Sequence, residues 1–168
     1  TDGSSGTFRT GSPAPRSGTV LAMTRRTPRS PAELVMDSGV LQPTATFEFF
    51  DFVAVAEVGG VAILPHCGRW LRARQLGIDA HGWLDDVGDE RFDQAVVHLQ
   101  KGRAATEQAL AEAWRRLRSG GRLLLVGGNE LGVKTAVKRL ATELATEPRI
   151  LANRARARVA CWSRSEPG

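Results

Sequence analysis

Cysteine is scarce in this sequence, and long apolar runs and a secretion signal are missing. The two cysteines, Cys67 and Cys161, lie far apart without a CxxC pair, so a zinc site is not predicted. No apolar run reaches the roughly 18 residues of a membrane span, and the polar start lacks the hydrophobic segment of a signal peptide. These absences predict a cytoplasmic protein with no membrane contact and no bound metal.

Nucleotide-binding glycine motifs are missing as well, although one segment comes close. In LLLVGGNELGVKTAVKRL, Gly127 and Gly132 have the spacing of a P-loop, but Val133 stands in the lysine position and Lys134 comes one place late. No G-x-G-x-x-G follows a strand either, which disfavours a nicotinamide-binding protein. The segment instead predicts a tight turn from a strand into a helix. The predicted buried face of that helix is Val133, Ala136, Val137, Leu140, Ala141 and Leu144.

The sequence does contain enough apolar residues for one folded domain, together with an excess of positive charge. Hydrophobic residues make up 42% of the 168 residues, and 23 Lys and Arg stand against 18 Asp and Glu, a formal net charge of +5. This balance suits a polyanionic partner such as RNA, and a compositional preference for arginine without any partner explains it equally. Residues 1–31 are rich in Gly, Ser, Thr, Pro and Arg, which predicts a disordered tail followed by one domain over 32–168.

Strand-like and helix-like segments alternate along the predicted domain. Short links between them predict an α/β protein with a doubly wound, mostly parallel sheet. In the first helix-like segment, Trp70, Leu71 and Leu76 are predicted to be buried. The strand-like segments are 49–58, 61–65, 78–84, 94–99, 122–128 and 156–163, with Gly59 and Gly60 as a possible hairpin turn between the first two. The helix-like segments are 68–77, 104–121 and the one that begins at Val133.

One long segment carries a family resemblance. FDQAVVHLQKGRAATEQALAEAWRRLRSGGRLLLVGGNELGVKTAVKRL is similar to the fourth and fifth strands of class I S-adenosylmethionine-dependent methyltransferases. More narrowly, it resembles the N-terminal domain of the two-domain 16S ribosomal RNA guanine-N2 methyltransferases. Gln100 and Lys101 stand at that family's Pro-Lys step, and Gly127, Asn129 and Gly132 match its Gly-x-Asn-x-x-Gly loop. The likeness covers about residues 92–164; before residue 90 only the alternation of elements agrees.

This resemblance implies a degenerate Rossmann-like methyltransferase fold. It also implies that two domains of the family have different functions. Members of the family carry two related domains, of which the second binds S-adenosylmethionine and performs the methyl transfer. The first domain assists the recognition of RNA and supports the catalytic half. The resemblance therefore implies that this chain corresponds to the first domain and binds no cofactor itself. Its implied partners are ribosomal RNA and a catalytic methyltransferase domain, in cis or in trans.

The motifs of an active methyltransferase are not recognisable in the sequence. The family pattern has a D-x-G-x-G-x-G turn after the first strand and an N-P-P-[FYW] step after the fourth, where this chain has LPHCGR and HLQK. No catalytic residue is therefore predicted. The alternative is a divergent methyltransferase, active on its own, that holds S-adenosylmethionine through AILPHCG. Its candidate cofactor residues are Gly68, Asp79 and Asp85.

Basic and amide side chains near the carboxyl ends of the fourth and fifth predicted strands are the candidates for RNA contact. Ligands of such sheets bind at this edge, and cationic side chains there could hold phosphates without reading sequence. An ordinary solvated surface is the alternative. His98 is predicted to be a hydrogen-bonded core residue, and Trp83 could be exposed for stacking on a base. The candidates for RNA contact are Lys101, Arg103, Asn129, Lys134, Lys138 and Arg139.

Overall fold

A computed structural model describes residues 30–37 and 39–166 of the chain, and residues 1–29 of the predicted tail lie outside the described residues. Its helices are α1 (Pro31–Val35), α2 (Val53–Val58), α3 (Cys67–Gln75), α4 (Arg103–Arg116) and α5 (Val133–Leu144). Its strands are β1 (Thr46–Phe49), β2 (Gly60–Ile63), β3 (Ala80–His81), β4 (Phe92–His98), β5 (Leu117–Gly128), β6 (Arg149–Arg154) and β7 (Ala157–Ser163). The predicted α/β class is confirmed.

The strands form one seven-stranded sheet in the order β3-β2-β1-β4-β5-β7-β6. Strands β1 to β5 pair in parallel, whereas β7 runs antiparallel to both of its neighbours, β5 and β6. The strand order reverses between β1 and β4. In open sheets of this kind, ligands bind in the crevice outside the carboxyl ends of the strands at such a reversal.

Helices cover both faces of the sheet because its central strands are apolar on both sides. In β5, Leu123 and Leu125 pack with α4 and α5, whereas Leu124 and Val126 pack with α1 and α2. This double burial explains the uninterrupted apolar run of β5. The predicted stripe of α5 is confirmed, since Val133, Val137, Leu140 and Ala141 are buried and Ala136 and Leu144 pack partly against the same cluster.

The prediction of a strand over 49–58 is wrong, and so is the hairpin at Gly59 and Gly60. Strand β1 ends at Phe49, residues 53–58 form α2, and β1 pairs with β2 in parallel. The alternating valines of VAVAEV favour a strand locally, but the carboxylate of Glu48 binds the first N–H groups of the helix instead. Gly60 lies at φ +123°, and an added Cβ there would overlap the backbone of Thr46.

One helix boundary, one strand and one buried face also differ from prediction. Helix α4 ends at Arg116 rather than in the glycine pair, and residues 117–121 begin β5. Strand β6 was not predicted, because RILANR lacks an alternating pattern and is mostly exposed at the sheet edge. In α3 only Ala73 is buried and Trp70 is half-buried, whereas Leu71 and Leu76 are 48% and 56% exposed.

Within the described residues, no helix combines the length and the apolar character that a membrane span requires.

Candidate functional site

The turn after β1 lies beside the strand-order reversal and is built from bulky residues. Phe50 follows β1 with φ 74°, a left-handed backbone that aromatic residues rarely adopt. Its N–H donates to the carbonyl of Ile63 at 2.9 Å, and its carbonyl accepts from the Arg69 guanidinium at 2.6 Å. Arg69 also pairs with Asp51 at 3.2 Å. The turn is therefore fixed by contacts to β2 and α3.

The carboxylate of Glu48 fills the space behind this turn. Glu48 lies on β1 and is fully buried. Its two oxygens accept the backbone N–H groups of Ala54 (3.2 Å) and Val55 (2.8 Å) at the start of α2. His98, on the neighbouring strand β4, brings Nε2 to 2.7 Å from Oε1. The predicted status of His98 as a hydrogen-bonded core residue is confirmed.

The residues at this turn do not fit the methionine end of S-adenosylmethionine, the cofactor that the resemblance implies. The fit would need free backbone N–H groups and glycines that allow a close approach, but Glu48 already binds the first N–H groups of α2 and Phe50 and Phe52 fill the turn. After β4, the Gln100 side chain donates back to the His98 carbonyl at 3.0 Å. That amide is therefore bonded to the backbone of its own strand.

The three cofactor candidates lie in different places. Gly68 lies in the first turn of α3, after β2, so the sequence LPHCGR is not the turn after the first strand of the sheet. Asp79 precedes β3 at its amino end, and its carboxylate lies 2.7 Å from His81 Nε2. Asp85 follows β3 at its carboxyl end, in a 3-10 turn over Leu84–Asp86. His66 accepts the N–H of Arg69 at 3.4 Å and so caps α3.

A cleft of about 370 Å³ opens at the carboxyl ends of β1, β2 and β3, against the first turns of α4. Its lining is mainly apolar and aromatic, with few polar side chains. Trp83 is 70% exposed, in agreement with the suggestion from the sequence. We call this feature the aromatic-acidic cleft; its walls include Phe49, Phe50, Pro65, Trp83, Asp85 and Gln108.

The loop that forms one wall of this cleft is fastened by Arg116. This arginine is 5% exposed, and its guanidinium donates to the carbonyls of Val87 and Gly88. It lies 5.3 Å from the centre of the Phe47 ring and pairs with Glu112 at 2.8 Å. The hydrogen bond from Arg115, together with that from Arg116, lowers the pKa of Glu112 to about 2. Arg116 therefore holds the loop against the sheet with its charge balanced.

A second groove, of about 290 Å³, separates α4 from α5 and collects three of the RNA-contact candidates. Lys101, Arg103 and Arg139 line it. Glu107 bridges the two arginines, at 2.6 Å from Arg103 and 3.0 Å from Arg139. The hydrogen bond from Arg103 is the main cause that lowers the pKa of Glu107. The two arginines therefore share one carboxylate, and their net positive charge is smaller than the sequence indicates.

The other three candidates lie away from this groove. Lys134 and Lys138 are exposed one turn apart on α5, and neither lines the groove that holds Arg139. Asn129 follows β5, and its N–H donates to the carbonyl of Arg156 at 2.7 Å. Arg156 is an exposed residue of the β6–β7 turn. The sequence did not single out Arg156, because strand β6, which places it there, was not predicted.

A buried arginine without a carboxylate partner was also missed. Arg122, on β5, is 6% exposed and donates to the Gln94 side chain at 2.7 and 2.9 Å and to the Val40 carbonyl. Burial lowers the pKa of Arg122 and raises that of the Cys161 thiol nearby. In the described residues, no three His, Cys, Asp or Glu side chains are grouped as a metal site.

Comparison with known proteins supports the resemblance seen in the sequence. Residues 71–156, about half of the chain, match the family described as methyltransferase small domain N-terminal. No curated protein matches the chain. Among solved structures, the 16S rRNA N2 G1207 methyltransferase RsmC of T. Thermophilus, in complex with AdoMet and guanosine, is similar with a TM-score of 0.67 and 20% identity. That likeness covers 84% of this chain but 40% of RsmC, so the chain spans less than half of that protein.

Two further structures show the same fold over most of their own length. A Pseudomonas syringae protein assigned as a methyltransferase has a TM-score of 0.60 and 18% identity, covering 80% of this chain and 96% of that one. An rRNA methylase from Streptococcus thermophilus has a TM-score of 0.53 and 14% identity, covering 81% and 92%. At these identities the likeness establishes a shared fold.

Proposed function

The chain belongs to the methyltransferase small domain N-terminal family, and we propose that it is a non-catalytic domain that helps an rRNA (guanine-N2) methyltransferase hold its RNA. S-adenosylmethionine then binds to a separate catalytic domain, in cis or in trans, which this domain braces in the cytoplasm. The observation that carries the proposal is the Glu48 carboxylate on the N–H groups of Ala54 and Val55. A side chain of the protein itself occupies donors that a bound cofactor would need.

The RNA surface of this proposal lies along the carboxyl edge on the β5 side and continues onto α5. Lys134 and Lys138 are exposed, and neither forms an ion pair with another described residue. Lys101 lies at the mouth of the groove between α4 and α5. Arg103, Arg139 and Asn129 complete the surface. Contacts of this kind hold phosphates and position RNA, and they carry no sequence information.

Calorimetric titration of the chain with S-adenosylmethionine tests the non-catalytic part of the proposal. We expect no binding at micromolar concentrations, because the turn after β1 contains no glycine and Glu48 occupies the N–H groups of Ala54 and Val55. Micromolar binding would contradict the proposal. A binding measurement is preferable to an activity assay, since an inactive domain and a wrong RNA substrate give the same blank result.

Salt dependence and charge reversal test the RNA surface. Affinity for a structured ribosomal RNA fragment is expected to fall as salt rises, with a slope of roughly 0.7 to 0.9 per phosphate contact. Lys134→Glu and Lys138→Glu should each weaken binding and reduce that slope. Arg72→Glu is the matched control, because Arg72 is exposed on α3 near the opposite end of the sheet. Equal effects of Lys134→Glu and Arg72→Glu would show that only net charge matters.

A divergent methyltransferase, active on its own, is the second candidate, and the aromatic-acidic cleft is the observation in its favour. The cleft has the size of a small ligand site, and the cofactor candidate Asp85 lies in its wall. Incubation of the chain with methyl-labelled S-adenosylmethionine and RNA tests this alternative. Label transfer that Asp85→Asn abolishes would establish it over the non-catalytic domain.

A further inference from the structure

The aromatic-acidic cleft differs in charge from the rest of this basic protein. Asp85 lines the cleft, and three more carboxylates follow it by position 90, in a chain whose formal net charge is +5. Among the described residues, Asp85 and Asp86 form neither an ion pair nor a side-chain hydrogen bond. The charge is complementary to a cation.

The backbone that surrounds the cleft is held in position before any ligand arrives. Phe50 is fixed in a left-handed backbone by its contacts to Ile63 and Arg69. The loop that carries Trp83 and Asp85 is fastened to the sheet at Val87 and Gly88 by Arg116. Strained residues that persist in a well-supported environment occur often at ligand-binding positions. The opening is therefore a supported feature of the fold, and Trp83 is exposed within it.

We infer that the aromatic-acidic cleft binds an arginine side chain presented by a partner protein domain. A guanidinium stacks on an aromatic face and donates two parallel hydrogen bonds to a carboxylate, which an ammonium group cannot do. Trp83 supplies the exposed ring and Asp85 the unpaired carboxylate. The identification of this partner as the catalytic domain rests on the proposed function. The affinity of the cleft for arginine follows from its own side chains and does not depend on that function.

Titration followed by NMR of the full chain tests the inference, with the indole N–H of Trp83 as the reporter. The indoles of Trp70 and Trp162 donate to backbone carbonyls of Ala80 and Thr146, so their signals report on the core. The probe is the blocked tripeptide acetyl-Gly-Arg-Gly-amide. Its control is the same peptide with citrulline, which keeps the shape of arginine without its charge. We expect the Trp83 signal to shift with a dissociation constant on the order of millimolar for arginine only.

Two variants of equal charge locate the binding. Asp85→Asn is expected to raise the dissociation constant about five-fold, as loss of one exposed ion pair does. Asp86→Asn, one residue outside the cleft wall, should change it less. In Trp83→Leu, followed by the backbone amides of Gly82 and Ala105, binding should be lost. Equal shifts with the citrulline peptide, or equal effects of the two Asn variants, would overturn the inference.

Other ligands in the same assay separate this inference from the proposed function. Guanosine monophosphate or a short single-stranded RNA that shifts Trp83 at lower concentration than the peptide would make the cleft a nucleobase site. S-adenosylmethionine that shifts Trp83 would overturn both the inference and the non-catalytic proposal. A failure of the arginine peptide alone, with RNA binding intact, would leave the proposed function standing.

Discussion

Glu48 and His98 meet across adjacent parallel strands with 2.7 Å between Oε1 and Nε2, and both are buried. The same carboxylate accepts the N–H groups of Ala54 and Val55 in the first turn of α2. One buried side chain thus joins β1, β4 and a helix start at the point where the strand order reverses. Removal of any of its hydrogen bonds leaves a donor buried without an acceptor, which is costly in a protein interior.

Replacement of the Glu48 carboxylate tests how much it contributes to the stability of the fold. Glu48→Gln is expected to lower the free energy of unfolding by roughly 1 to 3 kcal/mol, because the amide N–H₂ cannot accept from the backbone or from His98. Chemical denaturation measures the change. Glu57→Gln, in an exposed position on the same helix, is the control and should be close to neutral. A Glu48→Gln variant as stable as the wild-type protein would contradict the account of α2.

The loop that forms the wall of the aromatic-acidic cleft should depend on Arg116. Arg116→Met keeps much of the side-chain length but leaves the carbonyls of Val87 and Gly88 without their donor. We expect faster amide hydrogen exchange over residues 84–90 and a destabilisation of about 2 kcal/mol or more. Arg115→Met is the control, because it also removes a partner of Glu112 while the side-chain hydrogen bonds of Arg115 go to Glu112 and not to this loop. Unchanged exchange in Arg116→Met would show that other contacts hold the loop.

Acid should weaken the protein partly through Glu112. Its pKa is lowered to about 2 in the folded protein, from an ordinary value of 4.5. Its contribution to stability is therefore complete above pH 4.5 and is lost as the pH falls towards 2. The difference in unfolding free energy between wild type and Glu112→Gln should shrink over that pH interval. A constant difference from pH 6 to pH 2 would contradict this assignment.

A pair of glycine substitutions tests the tight approach of β2 to β1. Gly60 and Gly77 both have positive φ, but an added Cβ at Gly60 would overlap the backbone of Thr46, whereas Gly77 has open space. Gly77→Ala is expected to cost on the order of 1 kcal/mol, from backbone strain alone. Gly60→Ala should be markedly more destabilising, because the two strands would have to separate. Similar melting temperatures for the two variants would contradict so close an approach of the two strands.

The sequence predicted the second half of the sheet better than the first. Residues of β4, β5 and α5 lie in long apolar runs or stripes, and these patterns follow directly from burial. Helix α2 could not be found in this way, because its valines favour a strand and its start is capped by Glu48, five residues upstream of Val53. Strand β6 was missed because an exposed edge strand needs no apolar alternation.

Some features of the candidate site could also be predicted from the sequence, whereas others depend on how the elements pack. Basic residues after β4 and β5 could be placed at one edge of the sheet because parallel strands end together. The sequence did not reveal that Arg103 and Arg139 share Glu107, since α4 and α5 had to pack first. One signal for Glu48 was present: an acidic residue inside the apolar run TFEFF requires a buried partner, and the strand VVHL carries a histidine.

The pairing of the strands also bears on how quickly the chain can reach this structure. Among the described strands, only β6 and β7 are joined by a short turn; every other pair is brought together across a helix or a longer loop. The central pair, β1 with β4, aligns Thr46 with Gln94. The chain loses conformational entropy when such large loops close, and the stabilising contacts between the strands form only afterwards. From this strand order we expect slow refolding, with the terminal hairpin forming early and the central pair late.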